Sequence, residues 1–258
     1  MGILNVTPDS FSDGGKYLEA GDATRHVEQM LSDGADWIDV GGESTRPGSE
    51  SVNAEEQLRR VLPAIEAAAK RDVVVSIDTS SAAVARAALD AGACVVNDVT
   101  AGRADSAMLG VMATARACCL MHMLGTPKTM QQSPAYDDVV AEVEAHLIAR
   151  ADAAVAAGVE EHRILLDPGI GFGKSTAHNL ALLRATPRLA KLGFPLLIGT
   201  SRKRFLGEIT NEPDAAKRQF GTAATVALAV RDGASVVRVH DVRAMRQVVD
   251  VVRAIDRA

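Results

Sequence analysis

Eight short apolar runs alternate along the chain with segments whose apolar residues recur every three to four positions. Short apolar runs bounded by polar residues predict buried strands, whereas a period of about 3.6 residues predicts amphipathic helices. Strands are predicted at Gly2–Asn5, Trp37–Val40, Val73–Ile77, Cys94–Val96, Cys118–Met121, Ile164–Leu166, Leu196–Gly199 and Val236–Val239. Helices are predicted near residues 22–33, 54–71, 81–91, 104–116, 137–157, 178–192, 214–232 and 242–256.

Strand and helix alternating in this way indicate parallel strands joined by crossover helices. Eight such units in 258 residues favour a closed α/β barrel of the (β/α)₈ TIM type, because that fold takes about 250 residues. A doubly wound open sheet is the alternative. Since no linker, low-complexity tract or further repeat interrupts the pattern, we expect residues 1–258 to form a single domain.

Polar residues stand at or just past the carboxyl ends of the predicted strands. In a barrel these ends converge on one face, where barrel enzymes keep their active sites. A polar residue at one strand end is often only a helix cap, but the set here exceeds what capping needs. It comprises Asn5, Asp78, Asn97, Asp167, Lys203, Arg238 and His240.

These residues offer two kinds of chemistry. Asp78, Asn97 and Asp167 are rich in acceptors, and a carboxylate can take two parallel hydrogen bonds from the amino-imino edge of a flat heterocycle. A second group, with loop amides, suits a phosphate or diphosphate. Its members are Thr45, Arg46, Arg238 and His240, and Lys203 could face either kind of ligand. A substrate that joins a guanidine-like heterocycle to a diphosphate would use both groups.

The stretch Ile164–Lys174, ILLDPGIGFGK, joins a strand to a loop with three glycines. Pro168 favours extended backbone at Asp167, the glycines let backbone approach a ligand, and Phe172 adds one aromatic face. The loop does not match the usual phosphate-binding patterns, because Pro168 and Lys174 replace required glycines. Asp167 alone is also compatible with a helix-capping role.

Composition restricts the class of partner. The net charge is −5 and the pI is about 5.7, which disfavours a nucleic-acid partner because such proteins present a basic face. The three cysteines are an odd count without zinc-like spacing, so we expect buried strand thiols in a reducing cytoplasm. No apolar run is long enough for a membrane span, and no signal peptide is visible.

Glycine-rich and charged motifs follow the strands in a fixed order. They read GILNVTPDSFSDGG at 2–15, DVGGESTRPG at 39–48, SIDT at 76–79, NDV at 97–99, HMLGTP at 122–127, DPGIGFGK at 167–174, TSRK at 200–203 and RVHDV at 238–242. With these motifs the chain resembles the bacterial dihydropteroate synthase family over essentially its whole length. The resemblance implies a transferase of folate biosynthesis, a target of sulfonamides, that condenses 6-hydroxymethyl-7,8-dihydropterin diphosphate with p-aminobenzoate and releases diphosphate.

The resemblance also implies a role for each candidate site residue. The catalytic residues would be Asp78, Asp167 and Lys203. The pterin would be held by Asp78, Asn97, Asp167 and Lys203, with Arg238 stacked against it, and we expect Met123 to back the ring. The diphosphate would be bound by Asn5, Thr45, Arg46, Arg238 and His240, with its Mg²⁺ at Asn5. The p-aminobenzoate pocket would be formed by Phe11, Pro47, Phe172 and Ser201.

The chain departs from the family at two places. Position 204 is Arg where some members carry Ser, so the partner of the p-aminobenzoate carboxylate stays open among helix amides, Ser201 and Arg204. The chain also begins on the first strand, whereas members usually have a preceding segment that closes the barrel. We expect that segment to be absent, with consequences for stability more than for chemistry. The family further suggests a homodimer.

Two other functions compete with the synthase. A pterin-binding methyltransferase shares the barrel and the pterin pocket but has no use for a diphosphate site. A non-catalytic pterin-binding paralogue would be favoured by loss of an essential site residue, yet Asp78, Asp167, Lys203 and Arg238 are all present.

Two glycine-rich loops predict an order of binding. Val6–Gly15 and Gly41–Gly48 have too little apolar content to pack down alone, so we expect both to be mobile in the free enzyme. Because they carry candidate contacts to both substrates, Mg²⁺ and diphosphate would order them first. The pterin diphosphate should therefore bind before p-aminobenzoate.

Overall fold

The structure is a computed structural model and describes residues 1–6, 20–44, 52–126 and 128–258. All eight predicted strands are present in it, within one or two residues of the expected ends. They are β1 Gly2–Asn5, β2 Trp37–Gly41, β3 Val74–Asp78, β4 Val95–Asp98, β5 Ala117–Met121, β6 Ile164–Asp167, β7 Leu197–Ile198 and β8 Val236–Val237.

The strands close into a parallel barrel. Strands β1 to β6 pair in chain order, and β7 pairs with β8. Two parallel bridges join these sheets, Leu166 to Leu196 on one side and Gly2 to Val239 on the other. At the second seam the Ile3 amide donates to the Val239 carbonyl at 2.9 Å. The (β/α)₈ prediction is therefore confirmed, and the open-sheet alternative is wrong.

Ten helices are described. They are α1 Ala20–Ser32, α2 Ala54–Ala69, α3 Ala82–Asp90, α4 Met108–Met112, α5 Val139–Ala156, α6 Thr176–Arg184, α7 Thr186–Leu189, α8 Arg204–Thr210, α9 Gln219–Arg231 and α10 Val242–Asp256. None of them, within the described residues, is long and apolar enough to cross a membrane.

The sequence misplaced three helical regions. The helix expected near 104–116 is only the five residues of α4. The helix expected at 178–192 is split into α6 and α7, because Pro187 lacks the N–H that a continuous helix would need. The helix α8 was missed, and it ends at Thr210 because the next residue, Asn211, has a left-handed backbone (φ 54°) that stops the helix eight residues before α9 begins.

Local caps explain several of the correct helix starts. The side chains of Asn53, Ser81 and Asp138 accept backbone N–H groups at the starts of α2, α3 and α5. Ser175 and His178 form a reciprocal capping box at the start of α6. Each side chain satisfies donors that have no partner within the helix, which fixes where the helix begins.

Alternate strand residues face opposite sides of the barrel wall. Outward residues such as Leu4, Ile38 and Leu120 are fully buried in the main core under the helices. Inward residues at the lower end form a separate apolar cluster, which includes Cys119 and Leu165. Most inward positions above this cluster are polar, among them Asp78, Asn97 and Asp167, so the barrel is apolar at its base and mainly polar at its mouth.

Candidate active site

A cavity of about 970 Å³ opens at the carboxyl ends of the strands. It is lined by residues from the ends of β1, β3, β4, β6, β7 and β8 and from the loops after them. Among the predicted site residues they are Asn5, Asp78, Asn97, Asp167, Phe172, Ser201, Lys203, Arg238 and His240. The expected convergence of strand ends on one site is thus seen in the structure.

Arg238 lies between two carboxylates at the floor of this cavity. Its Nε donates to Oδ2 of Asp39 at 2.6 Å, and its Nη2 donates to Oδ2 of Asp78 at 2.7 Å. The Nδ2 of Asn97 also donates to Oδ2 of Asp39, at 3.1 Å. Burial raises the pKa of the Asp78 carboxyl, and the Arg238 guanidinium opposes that rise.

Asp39 is the site residue that the sequence analysis missed. It belongs to the motif DVGGESTRPG but was not among the candidate site residues chosen from the sequence. Its side chain instead points into the barrel and is fully buried. The available signal was alternation along β2, because Trp37, two residues earlier, packs on the inward cluster.

Asp167 and Lys203 form the opposite wall. Oδ1 of Asp167 accepts the Gly169 amide at 2.7 Å, and the residue is only 6% exposed. Burial raises the pKa of Asp167, whereas the Gly169 amide and the Lys203 ammonium oppose the rise. The Nζ of Lys203 lies 3.9 Å from the centre of the Phe172 ring, a cation–π contact. Burial lowers the pKa of Lys203 to about 8, with Asp167 opposing.

The loop after β6 can be built only with glycine at Gly169. Its φ is 65°, and a Cβ there would lie 1.9 Å from the carbonyl oxygen of His122. The same backbone turn directs the Gly169 amide at Asp167, which orients that carboxylate. The glycine pattern therefore shapes a turn under a carboxylate, in keeping with its failure to match a phosphate loop.

Lys174 fixes the end of this loop from inside. It is 3% exposed, and its Nζ lies 2.9 Å from Nδ1 of His122 and 3.0 Å from the carbonyl oxygen of Phe172. The Lys174 ammonium is thus held by a histidine nitrogen and backbone carbonyl oxygens. Burial lowers the pKa of Lys174 to about 7, with Asp167 opposing. By holding the Phe172 carbonyl, Lys174 helps to set the Phe172 ring that Lys203 covers.

The loops after β7 and β8 are joined by two contacts. The His240 amide donates to Oγ of Ser201 at 3.1 Å, and Nδ1 of His240 lies 2.9 Å from the same oxygen. Arg202 donates two bonds to Asp241, at 3.1 and 2.6 Å. Burial, together with Arg202, lowers the pKa of His240 to about 3, so its imidazole is neutral near pH 7. Because Arg202 holds Asp241, that neighbouring carboxylate is not available to complete a triad with Ser201 and His240.

Some predicted site residues cannot be placed. Phe11, Thr45, Arg46 and Pro47 lie outside the described residues, as do most of the two glycine-rich loops. Met121, at the end of β5, also lines the cavity. Met123 is 2% exposed and belongs to the apolar cluster with Met121 and the partly buried Phe172.

The fold and the cavity define a class of protein. Deep acceptors beside fixed cations at a barrel mouth suit a flat, donor-rich ring that carries an anionic group. In agreement, residues 1–240 match the family model described as pterin binding enzyme.

Individual relatives narrow the class. The dihydropteroate synthase of Synechocystis sp. is 47% identical over 100% of this chain and 90% of its own length. A Yersinia pestis dihydropteroate synthase solved with a sulfonamide drug complex has a TM-score of 0.94 and 44% identity, covering 100% of this chain and 94% of that one.

Two structures of the Xanthomonas albilineans enzyme extend the comparison. The one with 4-aminobenzoic acid has a TM-score of 0.93 and 46% identity, over 100% and 92% of the two chains. The one with 7,8-dihydropteroate has a TM-score of 0.90 and 44% identity, over 100% and 93%. The chain therefore belongs to the pterin-binding enzymes, and within them to the dihydropteroate synthases.

Proposed function

We propose that this transferase condenses 6-hydroxymethyl-7,8-dihydropterin diphosphate with p-aminobenzoate to give 7,8-dihydropteroate and diphosphate. The observation that carries the proposal is one cavity in which buried acceptors, Asp78, Asn97 and Asp167, face the cations Lys203 and Arg238. The Xanthomonas albilineans relative is known in complex with 4-aminobenzoic acid and with 7,8-dihydropteroate, the second substrate and the product named here.

The pterin is proposed to bind deepest. Asp78 and Asp167 supply carboxylate oxygens for the ring's amino and imino groups, and the Asn97 amide oxygen adds another acceptor. Lys203 donates to a ring acceptor, and Arg238 stacks against the ring. Met123 supports the wall behind the ring, through its cluster with Met121.

The diphosphate is proposed to lie nearer the mouth, against Arg238, His240 and Asn5. The neutral His240 can donate one N–H, because burial lowers its pKa to about 3. Arg46 and Thr45 are proposed to complete this site. Positive charge and N–H donors placed where a leaving group gains charge are a principal means of catalysis.

Mg²⁺ is proposed to arrive with the diphosphate. The Asn5 amide oxygen at the cavity wall is a hard ligand of the kind that Mg²⁺ accepts. Within the described part of the chain, no group of three or more His, Cys, Asp or Glu side chains could hold a metal ion. This donor set fits an ion held mainly by substrate oxygens and water, which would supply positive charge to the leaving group.

p-Aminobenzoate is proposed to bind last, against Phe172 and Ser201, with Phe11 and Pro47 as further walls. Its neutral amine forms a C–N bond to the pterin methylene as the C–O bond to diphosphate breaks, and the amine transfers one proton to water at the cavity mouth. The electron pair of the broken bond leaves with diphosphate, towards Arg238. Asp78 and Asp167 keep the ring in place while positive charge develops on it.

The p-aminobenzoate carboxylate is proposed to meet Ser201 at the start of the loop after β7. Arg204 is 82% exposed at its side chain and is engaged by Glu208, with Nε to Oε1 at 2.8 Å. Both Arg204 and Ser201 line the cavity. Ser201 is favoured because it is buried, whereas the exposed ion pair of Arg204 is screened by water.

A homodimer in the cytoplasm is the proposed cellular form. Val251 and Ile255 on α10 are 59% and 69% exposed, which supports contact through the last helices. The three cysteines are free thiols, in keeping with a reducing compartment. Light scattering after size exclusion tests the dimer, and a monomer at micromolar concentration would contradict it.

Release of diphosphate tests the activity directly. Mixing the enzyme with both substrates and Mg²⁺ should yield diphosphate and 7,8-dihydropteroate in equal amounts. A methyltransferase or a non-catalytic binding protein would release no diphosphate. Omission of p-aminobenzoate is the control, since transfer to the amine requires it.

A further inference from the structure

Asp39 connects two separate walls of the site through a single atom. Its Oδ2 accepts Nε of Arg238 at 2.6 Å from β8 and Nδ2 of Asn97 at 3.1 Å from β4. Asp39 itself stands on β2, which is separated from β4 by β3 and from β8 by β1. The three residues all come from even-numbered strands, as the layers of a (β/α)₈ barrel require. Asp39 is 0% exposed and is not among the residues that line the cavity.

The first consequence is the orientation of the Asn97 amide. An ionised carboxylate only accepts hydrogen bonds, so Asn97 must turn its NH₂ group towards Asp39. The carbonyl oxygen of Asn97 is thereby turned away from Asp39 and becomes the acceptor available to the pterin. Without the carboxylate, the amide could flip and present donors to a ring edge that is itself rich in donors.

The second consequence concerns Arg238. Asp78 is bonded to Arg238 at 2.7 Å in this structure, yet the proposed function requires Asp78 to bind the pterin. Asp39 accepts a hydrogen bond from a different nitrogen of the same guanidinium. It can therefore hold Arg238 in place when Asp78 binds the substrate instead. A guanidinium with fixed donors in a fork can satisfy two carboxylates at once, which a lysine could not do in the same geometry.

We propose that Asp39 is a positioning residue of the reaction, which orients Asn97 for the pterin and anchors Arg238 so that Asp78 is free to bind substrate. This inference rests on the proposed function. It assigns to Asp39 no contact with the substrate, and it places the effect of Asp39 on the pterin half-site, away from p-aminobenzoate.

The variant Asp39→Asn tests the inference with little change in volume. The amide oxygen of the variant carries no net charge and bonds the two donors less strongly, and its NH₂ group can face Asn97 instead. The Asn97 amide therefore loses its fixed orientation, and Arg238 keeps Asp78 as its ionic partner at this position. We expect kcat/KM for the pterin diphosphate to fall at least tenfold. The KM for p-aminobenzoate, measured at saturating pterin diphosphate, should stay within twofold of wild type.

Ser76→Ala is the matched control. Ser76 pairs in register with Asp39 on β3, is fully buried, and its Oγ has no hydrogen-bond partner among the described residues. Its replacement removes a polar atom from the same depth of the barrel without touching Arg238 or Asn97. We expect both kinetic constants to stay within twofold of wild type.

A double-mutant cycle distinguishes positioning from support of the fold. Binding of 6-hydroxymethylpterin is measured by calorimetry for Asp39→Asn, Asn97→Ala and the double variant. If Asp39 acts through Asn97, the double variant should bind about as weakly as the weaker single variant. Additive losses would overturn this part of the inference, because they would mean that the two residues act independently.

The remaining outcomes of these experiments also decide whether Asp39 is a positioning residue. A kcat/KM for Asp39→Asn within twofold of wild type overturns the proposal. An equal loss of kcat/KM for the two substrates also overturns it. The same holds if neither Asp39→Asn nor the smaller Asp39→Ser gives a cooperative thermal transition, because Asp39 would then be a structural residue. If the wild-type protein itself released no diphosphate and bound no pterin, the proposed function would have failed, which is a result separate from these.

Discussion

Replacing Asp167 by Asn gives the sharpest test of the pterin site, because the surrounding backbone dictates how the new side chain must lie. The Gly169 amide points at Oδ1 of Asp167 at 2.7 Å and needs an oxygen acceptor. In Asp167→Asn the amide oxygen will occupy that position, which keeps the loop intact. The NH₂ group then faces the cavity, where the pterin presents its own donors.

The magnitude follows from this geometry. The wild-type carboxylate has one oxygen left for a charge-assisted bond to the ring, and such bonds contribute about 1.5–3 kcal/mol. The variant loses that bond and sets a donor against a donor. Since about 1.4 kcal/mol corresponds to a tenfold change in rate, kcat/KM for the pterin diphosphate should fall roughly 10- to 150-fold.

Steady-state release of diphosphate at saturating p-aminobenzoate measures this effect, and a thermal melt checks the fold. Asp105→Asn is the matched control, because Asp105 also accepts backbone amides, those of Ala82 and Ala107, but does not line the cavity. Its kcat/KM should be unchanged. A value for Asp167→Asn within twofold of wild type would refute the assignment of Asp167 to the pterin.

Three further predictions concern other parts of the site. Sulfonamides should inhibit competitively with p-aminobenzoate, since Phe172 leads directly to Lys174 through one glycine with no insertion; an inhibition constant far above the KM for p-aminobenzoate would contradict this. p-Aminobenzoate should bind much more tightly with Mg²⁺ and diphosphate than without them, and Arg46→Ala should weaken that coupling; equal affinities by calorimetry would exclude ordered binding. Burial lowers the pKa of Lys174 to about 7, so unfolding takes up a proton between about pH 7 and the unfolded value near 10.4. The difference in melting temperature, wild type minus Lys174→Met, should therefore increase from pH 7 to pH 10. A difference that stays constant would show that the pKa of Lys174 is not lowered in the folded protein.

The sequence sufficed for the barrel because each strand carries its own signal. Apolar runs of three to five residues, such as those at β5 and β6, are long enough to mark a buried strand, and periodic segments between them mark helices. The elements that the sequence failed to predict correctly were short ones, which depend on contacts with neighbouring elements. Helix α8 has seven residues, too few for a clear period, and Lys203, the residue before its first turn, makes no side-chain cap.

Much of the site was also visible in the sequence. Asp78, Asn97, Asp167 and Arg238 stand at strand ends, and parallel strands in a barrel must bring those ends to one mouth. Residue type then limits which ligand groups the site can bind, because carboxylates accept hydrogen bonds and guanidinium groups donate them. No tertiary structure was needed to expect acceptors and cations in a single cavity.

Only the tertiary structure could decide which of these groups bond to one another. Arg238 and Asp39 are 199 positions apart in the chain, and their 2.6 Å contact exists only because β8 closes the barrel against β1. Likewise, only the fold brings the Lys174 ammonium against His122, 52 positions earlier in the chain. The sequence determined which side chains reach the barrel mouth through periodicity and strand order. The pairing of charges inside the barrel depended on closure, a long-range property that no local pattern of residues contains.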